Sequence, residues 1–286
     1  MKLALLAAID TSDYVSYVLS FPNMAPISVL SLFFLALMRI APVVAVAPFL
    51  GSKLPTPVKM GLAISLAAIL LPQLLHLSKM PPVGYDTSYL FLCIKEVFIG
   101  MLMAVLITMP FYIAQASGTL IDFLRGSSAL QVPDPFMQAQ TSPVGILYNY
   151  ILIVIFYQVG GPFIFLDGVL RSYSIVPADG WIAPIFFTAQ QPIWAAIIKL
   201  LTQFTALSIQ LAAPSIVAIL MAEMFLGIAN RLAPQVQIAF LGMSLKSLVG
   251  IALLWAAWFF ILQQLGKQSL MWVQELNRLI LTIPSS

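Results

Sequence analysis

The sequence predicts an all-α, polytopic integral membrane protein, and three observations lead there. First, 61% of the 286 residues are hydrophobic and only 8% are charged, with a mean hydropathy of +1.02; a soluble domain carries ~25% charged residues. Second, the apolar residues gather into about six long blocks, where a spanning helix needs ~20 residues. Third, 20 prolines and 15 glycines punctuate these blocks. That pattern suits broken helical hairpins around a protein-lined path, because irregular backbone at membrane depth survives only where protein or water satisfies it.

The chain opens with MKLALLAAIDTSD. Its apolar run, Leu3–Ile9, is short for a signal peptide and ends at Asp10 with no small-residue cleavage pattern. It reads as a short helix or interfacial segment that stays on the protein. The first spanning block is Ile27–Leu50, with Arg39 inside it and Pro42 and Pro48 bending or ending it. An arginine at that depth costs ~2.5 kcal/mol or more, so it is expected to face protein or water. GSKLPTPVK (51–59) reads as a turn, Met60–Leu77 as the second block, and the Pro81-Pro82 stretch as a polar connection.

Tyr89–Ala116 is the third block. It carries Lys95 and Glu96, which as helix neighbours are expected to need separate partners or water. Ser117–Pro143 then interrupts the apolar run with Asp122, Arg125, Asp134, several Ser, Thr and Gln, and glycines and prolines. Such a stretch is either a surface loop or the lining of an aqueous path. Asp122 and Arg125 lie three apart and can pair on a helical turn. The break divides the chain into an N-terminal part, 1–143, and a C-terminal part, 144–286.

Val144–Leu166 is the fourth block, loosened at Gly160-Gly161-Pro162. The mixed stretch Asp167–Gln191, with Tyr173, Trp181, Phe186 and Phe187, suits a membrane–water boundary. Pro192–Ala229 is the longest block and contains Lys199 and Glu223; Pro214 is expected to divide or kink it. NRLAPQ (230–235) reads as a tight turn between that block and Val236–Leu265, which holds Lys246, so the two arms form a helical hairpin. Leu270, Val273, Leu276 and Ile280 recur at helical spacing, which predicts an amphipathic C-terminal helix. The basic residues of the two sets of connecting loops are nearly balanced, so the positive-inside rule selects neither orientation.

The chemistry that is missing narrows the function. There is no phosphate-binding GxxxxGK[ST] loop, no HExxH and no GxSxG. The lone His76 and lone Cys93 make no zinc site, and nothing calls for a cofactor. Basic residues are scattered singly, which removes the electrostatic footprint of nucleic-acid binding. No nucleophile, base and stabiliser are placed for catalysis, so the chain reads as a non-enzyme. Arg39, Lys95, Glu96, Lys199, Glu223 and Lys246 lie in or near spans. They are either functional charges or assembly contacts that pair with one another or with partner subunits.

A set of motifs occurs in a characteristic order: APFLGSKLPTPVKMGLA (47–63), KEVFIG (95–100), ASGTLIDFLRG (116–126), Asp134-Pro135, QTSPVG (140–145) and NRLAPQ (230–235). Together, over about residues 28 to 265, they resemble the T subunit of the type III secretion export apparatus (the SctT/YscT/SpaR group), whose flagellar counterpart is FliR. DFLRG and QTSP look like the virulence injectisome branch; flagellar relatives tend to have proline where this chain has Ser244. The resemblance implies a non-enzymatic, channel-forming subunit of an export gate in the bacterial inner membrane. It implies assembly with R and S subunits in a pore complex, contact with the U switch protein and the V export-gate protein, and passage of unfolded substrate proteins. It also implies that the polar break helps close the channel, through Gly118, Asp122, Arg125, Gly126, Asp134 and Pro135. Asn230, Arg231, Pro234 and Gln235 would form the hairpin turn and a partner contact. A stand-alone secondary transporter or ion channel using Glu96 or Glu223 is the competing reading.

Overall fold

The computed structural model describes residues 14, 16, 26–51, 54–78, 85–126, 142–181, 192–232, 238–256, 258–267 and 271. Among them the regular structure is helical, with no strand. The helices are α1 (Pro26–Val46), α2 (Thr56–Leu77), α3 (Thr87–Leu124), α4 (Pro143–Gln158), α5 (Gly161–Ile175), α6 (Pro192–Leu232), α7 (Ile238–Ala256) and α8 (Trp258–Lys267). Four are long and apolar enough to cross a membrane, or up to six spans if α4 with α5 and α7 with α8 each count as one. The chain is thus an all-α, multi-pass membrane protein, as its composition predicts. The amphipathic C-terminal helix and the N-terminal segment 1–13 lie outside the described residues.

The described residues form two compact units, one within Met1–Thr108 and Ile164–Ile193, the other within Met109–Phe163 and Trp194–Glu275. This grouping by contact interleaves along the chain, whereas the sequence boundary at 143 cuts it once.

In the first unit, α1 and α2 pack through a short connection. Leu32, Leu35, Ala36, Ile40 and Val43 of α1 are buried, as are Ala63, Ala67, Leu70, Leu71 and Leu74 of α2. The spacing of three and four places each set on one helical stripe. Ala47 precedes a proline and is extended, which ends α1 before the single 3-10 turn Pro48–Leu50. The second helix starts at Thr56, earlier than the turn expected over 51–59. Pro57 sits in its first turn, where the missing N–H has no intrahelical role anyway. Lys59 Nζ donates to Ala45 O at 2.9 Å, and Tyr89 Oη at the start of α3 donates to Ser31 O at 3.1 Å.

In the second unit, α6 and α7 form the expected antiparallel hairpin. Leu226 meets Gly242, Glu223 meets Lys246, and Ile219 meets Gly250. Each step of three or four residues back along α6 is matched by one forward along α7, as an antiparallel pair requires. A bend of 61° separates α7 from α8.

Several boundaries differ from the sequence expectation, for physical reasons. The third helix runs eight residues past Ala116, to Leu124. Its polar side chains are satisfied within the helix: Ser117 Oγ donates to Ala114 O at 2.7 Å and Thr119 Oγ1 to Gln115 O at 2.9 Å. Ser117–Leu124 is therefore helix, not loop. Likewise α5 continues into the first part of the mixed stretch, as far as Ile175, with Arg171 paired to Asp167 one turn away at 2.8 Å. Pro214 does not divide α6, which is continuous over 41 residues and includes Asn230 and Arg231 in its last turn. Proline is tolerated inside such helices because neighbouring groups can satisfy the carbonyl it frees. The expected loosening at Gly160 is observed: α4 ends there, and the residue has φ 75°, a conformation that favours glycine.

Candidate functional site

Polar side chains concentrate at two places, one in each unit. In the second unit the centre is Asp122, on the last turn of α3 and 1% exposed. Its Oδ1 accepts from Arg125 Nη2 at 2.6 Å. Its Oδ2 accepts from Ser142 Oγ at 2.6 Å and from the backbone N–H of Val144 at 2.9 Å. Ser142 is the N-cap of α4, its hydroxyl accepting from Gly145 N at 3.0 Å, and Pro143 follows at the first helical position. The Asp122 carboxylate thus sits at a helix N-terminus, where unpaired N–H groups and the helix dipole favour negative charge. One turn earlier Gly118 is buried against the backbone of Val144 and Gly145, so that a Cβ there would clash with main chain.

These contacts have a topological consequence. Arg125 and Ser142 lie on either side of the segment 127–141 in sequence, and both bond to the one carboxylate. The pairing of Asp122 with Arg125 is the one expected from their spacing. Ser142, Val144 and Gly145 belong to the QTSPVG motif, whose Ser-Pro ahead of an apolar run is a legible helix start, but nothing in the sequence pairs them with Asp122. Gly126 follows Arg125 directly, half-buried, with φ 78°. Asp134 and Pro135 lie outside the described residues.

In the first unit the centre is Glu96 on α3, fully buried. Arg39 of α1 grips it bidentately, Nε to Oε2 at 2.5 Å and Nη2 to Oε1 at 2.7 Å. Arg39 also donates to Ser172 Oγ at 3.0 Å and to Val176 O at 2.9 Å, and its guanidinium lies 3.9 Å over the Tyr173 ring. Tyr173 Oη donates in turn to Ala36 O at 3.2 Å. Lys95 Nζ donates to the carbonyls of Pro177, Ala178 and Gly180 at 2.8–2.9 Å, just past the end of α5. Cations there complement the carbonyl end of a helix.

The expectation that Lys95 and Glu96 need separate partners is corrected: Lys95 Nζ stands 2.8 Å from Glu96 Oε1. The long lysine stem reaches around the helix, and the turn at 177–180 fixes its tip beside the carboxylate. Buried Asp179 accepts from Ser78 Oγ at 2.6 Å. Two cations and two carboxylates therefore share one buried region, and their formal charges cancel.

Of the remaining intramembrane charges, Glu223 and Lys246 pair across the hairpin at 2.5 Å, and Glu223 is half-exposed. Lys199 lies exposed on α6. Asn230 and Arg231 are exposed at the end of α6; Pro234 and Gln235 lie outside the described residues.

Comparison with known proteins gives the family. The sequence model of the family described as "Bacterial export proteins, family 1" matches residues 30–271. The Yop proteins translocation protein T of Yersinia pestis is 30% identical over 196 residues, covering 68% of this chain and 72% of the relative. Surface presentation of antigens protein SpaR of Shigella flexneri is 28% identical over 216 residues, 74% and 79% of the two chains. Flagellar biosynthetic protein FliR of Bacillus subtilis is 26% identical over 223 residues, 78% and 84%. The matched span takes in both polar constellations and the α6–α7 hairpin, and by these matches the chain belongs to the bacterial export protein family 1, in the group of type III secretion and flagellar export components.

Proposed function

We propose that this chain is a channel-forming subunit of the inner-membrane export gate of a type III protein secretion system, and that the 117–143 region contributes to closing the channel. Export-apparatus membership and a non-enzymatic role follow from the family, and the multi-pass helical fold from the chain's own helices. The finer reading adds the inner membrane as location, R and S subunits as pore partners, the U switch protein and the V export-gate protein as neighbours, and transient contact with unfolded substrate proteins. Membrane lipid covers whatever apolar surface these partners leave.

The observation that supports closure is the Asp122 joint. A segment able to block a path must leave from a firm base, and Arg125 and Ser142, which flank 127–141 in sequence, are joined through one buried carboxylate. The transporter alternative would use Glu96 or Glu223. Glu96 is held on both oxygens by Arg39 with Lys95 beside it, and Glu223 is paired with Lys246. Those pairings favour structural over ion-carrying roles.

The test is deletion of Gly126–Val132 in the complete apparatus, with assembly followed by native mass spectrometry of the detergent-extracted complex. The expected result is an assembled hetero-oligomer with small multi-span partners and a membrane leaky to ions and small molecules. An assembled complex that stays tight removes the closure role. A stable, solute-transporting homo-oligomer of this chain alone overturns the export-gate reading.

A further inference from the structure

The Asp122 joint has a member that lies far along the chain. Gly250, buried on α7, lies directly under the Arg125 side chain. A Cβ at that position would stand 2.8 Å from Arg125 Cδ and 2.9 Å from Cγ, with Ile219 Cδ1 of α6 next at 3.5 Å. Only a hydrogen there leaves room for the arginine stem. The stem is tied at both ends. Its tip is bound to Asp122, and its own backbone N–H donates to Ile121 O at 3.0 Å. Arg125 Nε is buried with no hydrogen-bond partner among the described residues. The position of the arginine is therefore set by Asp122 at its tip and by packing over Gly250, not by a full set of hydrogen bonds.

We propose that Gly250 is a positioning residue for the joint: by seating Arg125 on α7, the α6–α7 hairpin keeps Asp122 drawn across α3 and α4. The functional side of this inference rests on the closure reading above. A side chain at 250 pushes the stem outward and draws Nη2 away from Asp122. The carboxylate then loses its bond to Arg125 while Ser142 and Val144 still donate to it, so the link between Arg125 and Ser142 is weakened.

The experiment compares Gly250→Ala and Gly250→Leu, each alone and combined with Arg125→Ala, in the complete apparatus in its membrane. Ion permeability and the melting temperature of the extracted complex are both recorded, with the Gly126–Val132 deletion as reference. Under the proposal, leak increases from glycine to alanine to leucine, several-fold for leucine, while the complex still assembles. In the Arg125→Ala background neither Gly250 substitution adds leak or lowers the melting temperature further, because the stem they displace is gone. Additive effects in that background overturn the proposal. So does wild-type tightness of both Gly250 variants when the deletion leaks. A deletion that itself stays tight overturns the closure reading and the functional claim with it; the melting temperatures then decide the seat, non-additive in its favour and additive against it. If Gly250→Leu fails to assemble, Gly250→Ala decides by the same comparison.

Discussion

Arg39 and Glu96 stand 57 residues apart in sequence and meet with no solvent exposure on either side chain, their two parallel bonds measuring 2.5 and 2.7 Å. Fork-on-fork geometry is the strongest form of this interaction, since both oxygens are used and the guanidinium plane is fixed. Here it joins α1 to α3, and the remaining arginine donors carry the bond on to the end of α5.

Breaking this pair from one side should be severe. Glu96→Gln leaves a buried guanidinium uncompensated, at a cost of about 3–5 kcal/mol. Arg39→Lys keeps the charge but loses the fork, so it should also destabilise. The double substitution should be milder than the sum of the two, with a coupling on the order of 2 kcal/mol. Thermal unfolding of the detergent-extracted complex, or its steady-state amount in the membrane, measures this. Unchanged stability of Glu96→Gln would remove Glu96 as the organising carboxylate.

The Asp122 joint predicts a ranking. Ser142→Ala removes a helix cap, a loss of about 1 kcal/mol. Asp122→Asn keeps an acceptor for Val144 but gives up the charge that pairs with Arg125, and should cost more. Asp122→Ala strips three donors of their acceptor and leaves Arg125 unpaired, at about 3–5 kcal/mol. Melting temperatures should fall in that order. Equal values for Asp122→Asn and wild type would show that charge at this position does not matter.

Glycine positions offer a built-in contrast. Gly118→Ala forces a methyl into the backbone of Val144 and Gly145, so the two helices must separate, for about 1–3 kcal/mol. Gly61 and Gly227 lie in helices with nothing within 4 Å of where a Cβ would stand. Alanine there should be neutral or stabilising by about 0.5–1 kcal/mol, through helix propensity alone. Heat-induced loss of the folded complex, compared across the three variants, checks the difference. A harmless Gly118→Ala would mean that α3 and α4 do not approach closely.

The apolar blocks, the membrane class, the α6–α7 hairpin and the pairing of Asp122 with Arg125 are all local in origin. Each follows from composition, from helical period or from a spacing of three, and all are readable from the residues in order. So is the break at Gly160. Proline misleads where the rules of soluble helices are assumed: Pro214 lies inside an unbroken α6. Polar residues mislead at 117–124, where hydroxyls bonded back to their own helix let α3 continue.

What only the tertiary structure decided is which buried charges meet. Sequence can say that Arg39, Lys95 and Glu96 each need a partner at membrane depth, because an unpaired charge there is costly. It cannot say that one carboxylate serves both cations, or that Asp122 reaches across to the start of α4. Those pairings depend on where helices cross, and crossings are set by small residues such as Gly118 and Gly250 that allow close approach. Local chemistry thus determined the elements and their environment; long-range packing determined the joints that hold them.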